Sequence, residues 1–127
     1  MRALIIDDSR AMRRILRGIV EPMGFEVSEA GNGKQGLEQL NQFEDVELVL
    51  VDWNMPEMNG LEFVQAVRSD DSRRDLKLVM VTTETEPAKM ARAMMAGVDE
   101  FVMKPFTQDI LVDKLRLIGV ADPIRSN

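Results

Sequence analysis

Four short apolar runs punctuate the chain, at residues 3–6, 48–51, 78–81 and 101–103, and none of them alternates with polar positions. Unbroken branched runs of this length predict strands covered on both faces, as in a parallel sheet. A fifth segment, residues 25–30, does alternate (Phe-Glu-Val-Ser-Glu-Ala) and suits a half-exposed edge strand. Between the runs the period becomes helical. Met12, Ile15, Leu16, Ile19, Val20 and Met23 share one face, while Arg10, Arg13, Arg14 and Arg17 mostly hold the other. Ser9 is placed to cap this helix, and Pro22 with Gly24 ends it. Leu37 and Leu40 mark a short second helix over 36–43, and Leu61, Val64 and Val67 a third over 60–69. A fourth opens at Pro87 and stops at Gly97; a fifth follows Thr107 and runs through Leu111, Leu115 and Ile118 to Gly119.

Strand and helix thus alternate five times, which predicts an α/β fold: a doubly wound (βα)5 three-layer sandwich with a parallel sheet and helices on both faces. The pattern occupies residues 1–119 of 127 as one domain, and residues 120–127 read as a tail or the start of a linker. Met90, Met94 and Met95 of the fourth helix admit two readings, core filling or an adaptable binding surface. Core filling is the commoner use and is the expectation here.

Composition narrows the chemistry. There is no cysteine and no histidine, which excludes disulfides, thiolate chemistry, zinc sites and histidine bases. The 22 acidic residues outnumber the 16 basic ones, for a net charge of −6, so a nucleic-acid footprint is not expected. No stretch approaches the roughly 18 apolar residues of a membrane span, and the apolar run at the start is too short for a signal peptide; a cytoplasmic protein is expected. What remains for chemistry is carboxylates, hydroxyls, lysines and a hard metal.

Those groups recur at one kind of place. Asp7 and Asp8 follow the first apolar run, Asp52 the second, Thr82 the third and Lys104 the fourth. In an open α/β sheet the ligand crevice lies outside the carboxyl ends of the strands, so these five side chains are expected in one pocket. Three carboxylates in one crevice repel one another, and a divalent cation relieves the repulsion. All-oxygen ligation suits Mg²⁺, which leaves positions open for phosphate oxygens. Lys104 and Thr82 add a charge and a hydrogen bond for a phosphoryl group, and an aspartate facing both is a candidate covalent acceptor. Taken singly, each residue has an ordinary explanation: an acidic helix cap for Asp7-Asp8, a turn for Asp52, solvated surface for Lys104. Four successive strand ends do not share an ordinary explanation.

At these residues the chain resembles the receiver domains of two-component response regulators, and among them the single-domain, chemotaxis-type regulators. The resemblance rests on Asp7-Asp8, on Asp52-Trp53-Asn54-Met55-Pro56 with Gly60, on Met80-Val81-Thr82, and on Lys104-Pro105-Phe106-Thr107, with Met12-Arg13-Arg14-Ile15 in support. It implies a flavodoxin-like sheet in the order 2-1-3-4-5. It implies phosphorylation on Asp52 by a histidine kinase, with Thr82 and Lys104 contacting the phosphoryl oxygens. Mg²⁺ would be held by Asp8, Asp52 and the Asn54 carbonyl, with Asp7 acting through water. The family's aromatic switch position falls on Phe101, and the output face, made by the fourth and fifth helices and the fifth strand, includes Met90 and Lys114. Asn54 and Glu84 fall where side chains tune dephosphorylation. A cis bond is implied between Lys104 and Pro105. The implied partners are the kinase, a downstream target such as the flagellar motor switch, and a phosphatase, with no nucleic acid and no membrane insertion.

Two other functions use similar parts. A haloacid-dehalogenase-type phosphotransferase also forms an aspartyl phosphate, but needs an acid two residues after the nucleophile, and Asn54 cannot serve. A flavodoxin-like cofactor binder needs hydroxyls and glycines after the first strand, where Asp7-Asp8 would repel a phosphate. A switch with no substrate beyond its own phosphorylation and dephosphorylation is the expectation.

Overall fold

The structure, a computed structural model, describes residues 1–120. In chain order the elements are β1 (Arg2–Ile6), α1 (Arg10–Val20), β2 (Glu26–Ala30), α2 (Gly33–Gln42), β3 (Val46–Val51), α3 (Gly60–Arg68), β4 (Lys77–Thr82), α4 (Pro87–Ala96), β5 (Glu100–Met103) and α5 (Gln108–Leu117). All five strands are parallel, in the order β2-β1-β3-β4-β5, as expected.

The unbroken apolar runs are explained by burial on both faces. Leu4, Ile6, Val49, Val51, Leu78 and Met80 point to one side, where α2, α3 and α4 pack through Leu40, Phe63, Val64, Val67 and Ala93. Ala3, Ile5, Leu48, Leu50, Val79 and Val81 point to the other, against Leu16, Ile19 and Val20 of α1 and Leu111, Val112 and Leu115 of α5. Burying one such side chain is worth about 1.5–3 kcal/mol, so the three central strands anchor the molecule.

Capping defines the helix ends. Ser9 Oγ accepts the Met12 N–H at 3.2 Å, and Thr107 Oγ1 accepts that of Ile110 at 3.2 Å. Asn59 and Glu62 form a reciprocal capping box at the start of α3. Three expectations need correction. The second helix starts at Gly33, not at residue 36, because Asn32 caps it through the Gln35 N–H at 2.9 Å. Gly36 is no boundary; a Cβ there would run into Ile6, so the helix lies close on the sheet. Ile15 is 52% exposed, since the buried stripe of α1 runs through Leu16, Ile19 and Val20 and leaves Ile15 beyond its edge. Val120 is not tail. It is buried, and its N–H donates to Leu115 O at 2.9 Å, which closes the end of α5. Residues 121–127, the rest of the expected tail, lie outside the described residues.

Candidate functional site

Asp7, Asp8, Asp52 and Lys104 converge at the carboxyl edge of β1, β3 and β5, and Thr82 ends β4 between them. The ladders continue one residue past the strands and so fix the backbone beneath them. Asp7 N–H donates to Ala30 O at 3.1 Å, Asp52 N–H to Ile6 O at 3.0 Å, and Lys104 N–H to Thr82 O at 2.9 Å. Lys104 Nζ then donates to Asp7 Oδ2 at 2.8 Å and stands 3.5 Å from Asp52 Oδ2. The Lys104–Pro105 peptide is cis.

Asp52 is 8% exposed, and its Oδ1 accepts the Trp53 N–H at 2.7 Å, so one oxygen is held while Oδ2 faces Lys104. Thr82 is fully buried, and its Oγ1 accepts the Glu84 N–H at 3.2 Å. A hydroxyl that accepts still has its own proton to donate. Gly60 is needed beneath this corner. Its N–H donates to Trp53 O at 2.9 Å, and a Cβ at residue 60 would collide with the Asp52 carbonyl.

Asp7, Asp8 and Asp52 each bring one carboxylate oxygen within 4.8 Å of the others. Asp7 and Asp52 are buried and Asp8 is exposed, which leaves the cluster open on one side. Three hard oxygen donors with an open side fit Mg²⁺, which keeps several waters and takes few protein ligands. A cavity of about 700 Å³ lies at the opposite edge of the sheet, lined by Phe25, Leu40, Val46, Leu76 and Val120 among others. It contains none of these residues.

Residues 3–116 match the family model of the response regulator receiver domain. The chain belongs to the receiver-domain family. Among its curated relatives are the chemotaxis protein CheY1 of Helicobacter pylori, 41% identical over 93% of this chain and 96% of that protein. The CheY homolog of Campylobacter jejuni is 43% identical over 91% of this chain and 89% of that protein. The solved structure of chemotaxis response regulator CheY4 of Vibrio cholerae superposes with a TM-score of 0.84 at 31% identity, covering 92% of this chain and 97% of that one. Receiver domains of this family bind Mg²⁺ at an acidic aspartate cluster, and Asp7, Asp8 and Asp52 form such a cluster here.

Asn54 is exposed beside Asp52. Glu84 turns toward α4: its carboxylate accepts the N–H groups of Thr85 (3.2 Å) and Glu86 (3.1 Å) and the Lys89 ammonium (3.2 Å). The Glu86 N–H, then Lys89, hold the Glu84 carboxyl below the usual range. Phe101 is buried at 6% exposure, packed in the cluster that contains Met80 and Ala93; with no hydroxyl it needs no polar partner there. Lys114 Nζ donates to Phe101 O at 2.8 Å and pairs with Glu100 at 3.5 Å, which ties α5 to β5. Met90 is half-buried against the core, but Met94 and Met95 are 49% and 89% exposed. The core reading of the methionines therefore holds for Met90 alone. Ala93 is the one fully buried residue of α4, so the helix rides on a narrow seam and the remaining methionines have nothing to cover them.

Two contacts at the site carry no signal in the side-chain pattern. The Trp53 N–H on Asp52 and the Arg13 guanidinium on the Asp7 carbonyl, at 2.6 Å, each use a backbone group.

Proposed function

We propose that this receiver domain is the phosphorylation-dependent regulator of a chemotaxis-type two-component system. It accepts a phosphoryl group on Asp52 from a histidine kinase and switches its α4-β5-α5 face toward a downstream partner. The observation that carries this reading is the meeting of Asp52 and Lys104 beside the acidic pair, with Thr82 at the end of the strand between them.

Asp52 Oδ2 is the attacking oxygen, because Oδ1 is held by Trp53. It forms the new O–P bond as the bond from phosphorus to the donor nitrogen breaks, and the electron pair leaves with the donor. Asp8, Asp52 and the Asn54 carbonyl would hold Mg²⁺, with Asp7 acting through water; when bound, the ion supplies charge neutralisation for the phosphoryl oxygens. Lys104 lies within reach of Asp52 Oδ2 and exchanges its Asp7 contact for a phosphoryl oxygen. The Thr82 hydroxyl donates its free proton to another.

That donation pulls on a residue already bonded to Glu84, which is bonded to α4 through Lys89. The output face, including Met90, Phe101 and Lys114, is biased in this way by its different contacts in the two states. Phe101 is already inside, so the switch works on the seating of α4 and β5 around the ring. The exposed Met94 and the flexible methionine chemistry of α4 suit an adaptable protein partner such as a motor-switch component, and an assisting phosphatase would act at the open side of Asp52. Among the described residues no helix is long and apolar enough to cross a membrane. That and the net charge of −6 support a cytoplasmic signalling role without direct nucleic-acid contact.

Trp53 is buried beside the acceptor and reports the reaction. Acetyl phosphate added to the Mg²⁺-saturated protein should change its fluorescence further, and Asp52→Asn should abolish that further change. A full response in the Asp52→Asn protein would place the acceptor elsewhere.

A further inference from the structure

Every polar atom of Asp7 has a partner. Its N–H donates to Ala30 O at 3.1 Å, Oδ1 accepts the Ser9 N–H at 2.9 Å, and Oδ2 accepts Lys104 at 2.8 Å. Its carbonyl accepts Arg13 Nη1 at 2.6 Å, and this last partner comes from α1 rather than from a strand end. Arg13 is itself aimed. Its Nε donates to Glu29 Oε1 at 2.9 Å, and the other oxygen of Glu29 is held by Arg17 at 2.7 Å. The Arg13 side chain is 17% exposed and that of Glu29 is 29% exposed, so the chain of contacts is largely sheltered from water. Asp8, by contrast, has no hydrogen bond or ion pair among the described residues and is exposed.

A carbonyl oxygen lies in the plane of its peptide, and that plane also carries the N–H and Cα of the next residue. Holding the Asp7 carbonyl therefore fixes the direction in which Asp8 leaves the turn. We propose that Arg13 is a positioning residue for the acidic turn: aimed by Glu29 on the edge strand, it sets how the Asp7-Asp8 peptide presents its carboxylates toward Asp52. A planar guanidinium serves both acceptors at once, which a lysine ammonium at this distance from the backbone does less well. The proposal rests on the reading that Asp7, Asp8 and Asp52 hold Mg²⁺.

The direction of the effect separates positioning from simple charge. Removing a cation from beside a cation site strengthens metal binding through space. Removing a group that orients ligands weakens it, typically by about tenfold or more. Mg²⁺ titrations followed by Trp53 fluorescence in Arg13→Met should show weaker binding, by about tenfold. Arg13→Lys keeps the charge and should fall between that variant and the wild type; Glu29→Gln, which leaves Arg13 in place but unaimed, should weaken binding less than Arg13→Met. Unchanged or tighter binding in a folded Arg13→Met protein overturns the proposal. If Arg13→Met fails to fold, Arg13→Lys decides, and wild-type affinity there overturns it equally. A second readout needs no metal. Exchange of the Ser9 amide, which bonds to Asp7 Oδ1, should be several-fold faster in Arg13→Met while the middle of α1 is unaltered; equal exchange rates overturn the proposal. If the wild type gives no Mg²⁺ response and Asp8→Ala changes nothing, the metal reading fails on its own, and the amide measurement still judges Arg13.

Discussion

Both carboxylate oxygens of Asp52 have a neighbour that orients them. One oxygen is fixed by the Trp53 N–H and the other faces Lys104. What then decides how long a phosphoryl group survives is access of water opposite that bond. Asn54 is exposed beside Asp52, and Glu84 is drawn off toward Thr85, Glu86 and Lys89, so neither side chain seals the approach. By its resemblance to the chemotaxis-type regulators, the phosphorylated protein should lose its phosphate within minutes rather than hours. Replacing Asn54 by Met and Glu84 by Leu should slow that loss by about tenfold or more, a barrier change of roughly 1.4 kcal/mol. The single change Asn54→Met tests the shielding without touching the bonds of Glu84. An unaltered decay rate with unaltered Mg²⁺ affinity would mean that these side chains do not gate the water. The placement of Asp7, Asp52 and Lys104 at one edge was legible in the sequence because each follows an apolar run, and a run that stops at a polar residue marks a strand end. The contacts of Trp53 and Arg13 were not, since a backbone donor or acceptor leaves no mark on residue type.

Between elements, the edge strand is held to α1 by charge as well as by the apolar packing of Val27. Glu29 of β2 receives Arg13 at 2.9 Å and Arg17 at 2.8 Å. Burial alone pushes the Glu29 carboxyl up, but the hydrogen bonds and charges of Arg17 and Arg13 outweigh it and hold the group below its ordinary value of 4.5. A carboxyl lowered on folding contributes stability that is complete above its unfolded value and is lost as pH falls through its folded one. Glu29→Gln should therefore be less stable than the wild type at neutral pH, and the gap should narrow as pH drops below about 4.5, where the unfolded carboxyl takes up its proton before the folded one does. Urea unfolding at pH 7 and pH 3.5 checks this; a gap of equal size at both would remove Glu29 ionisation from the account. The same scale explains what the helical pattern missed. Periodicity identifies an apolar stripe but not whether a neighbour covers it, which is why Ile15, Met94 and Met95 proved exposed. It also passes over polar caps such as Asn32 and Asn59, whose contribution is a hydrogen bond to a backbone amide.

Across the whole molecule, the parallel order of the sheet does what no local segment can: it brings Lys104 to Asp7, 97 residues away, and sets both against Asp52. The fold was readable because buried strands and amphipathic helices alternate without exception, and the doubly wound solution to that alternation puts all carboxyl ends on one edge. We propose that this edge carries a phosphoryl group on Asp52. Borohydride reduces an acyl phosphate to the alcohol, so it converts a phosphorylated aspartate to homoserine and leaves free carboxylates alone. After treatment with acetyl phosphate and Mg²⁺, borohydride should place homoserine at position 52 and at no other aspartate. Homoserine at another position, with residue 52 still aspartate, would contradict the account.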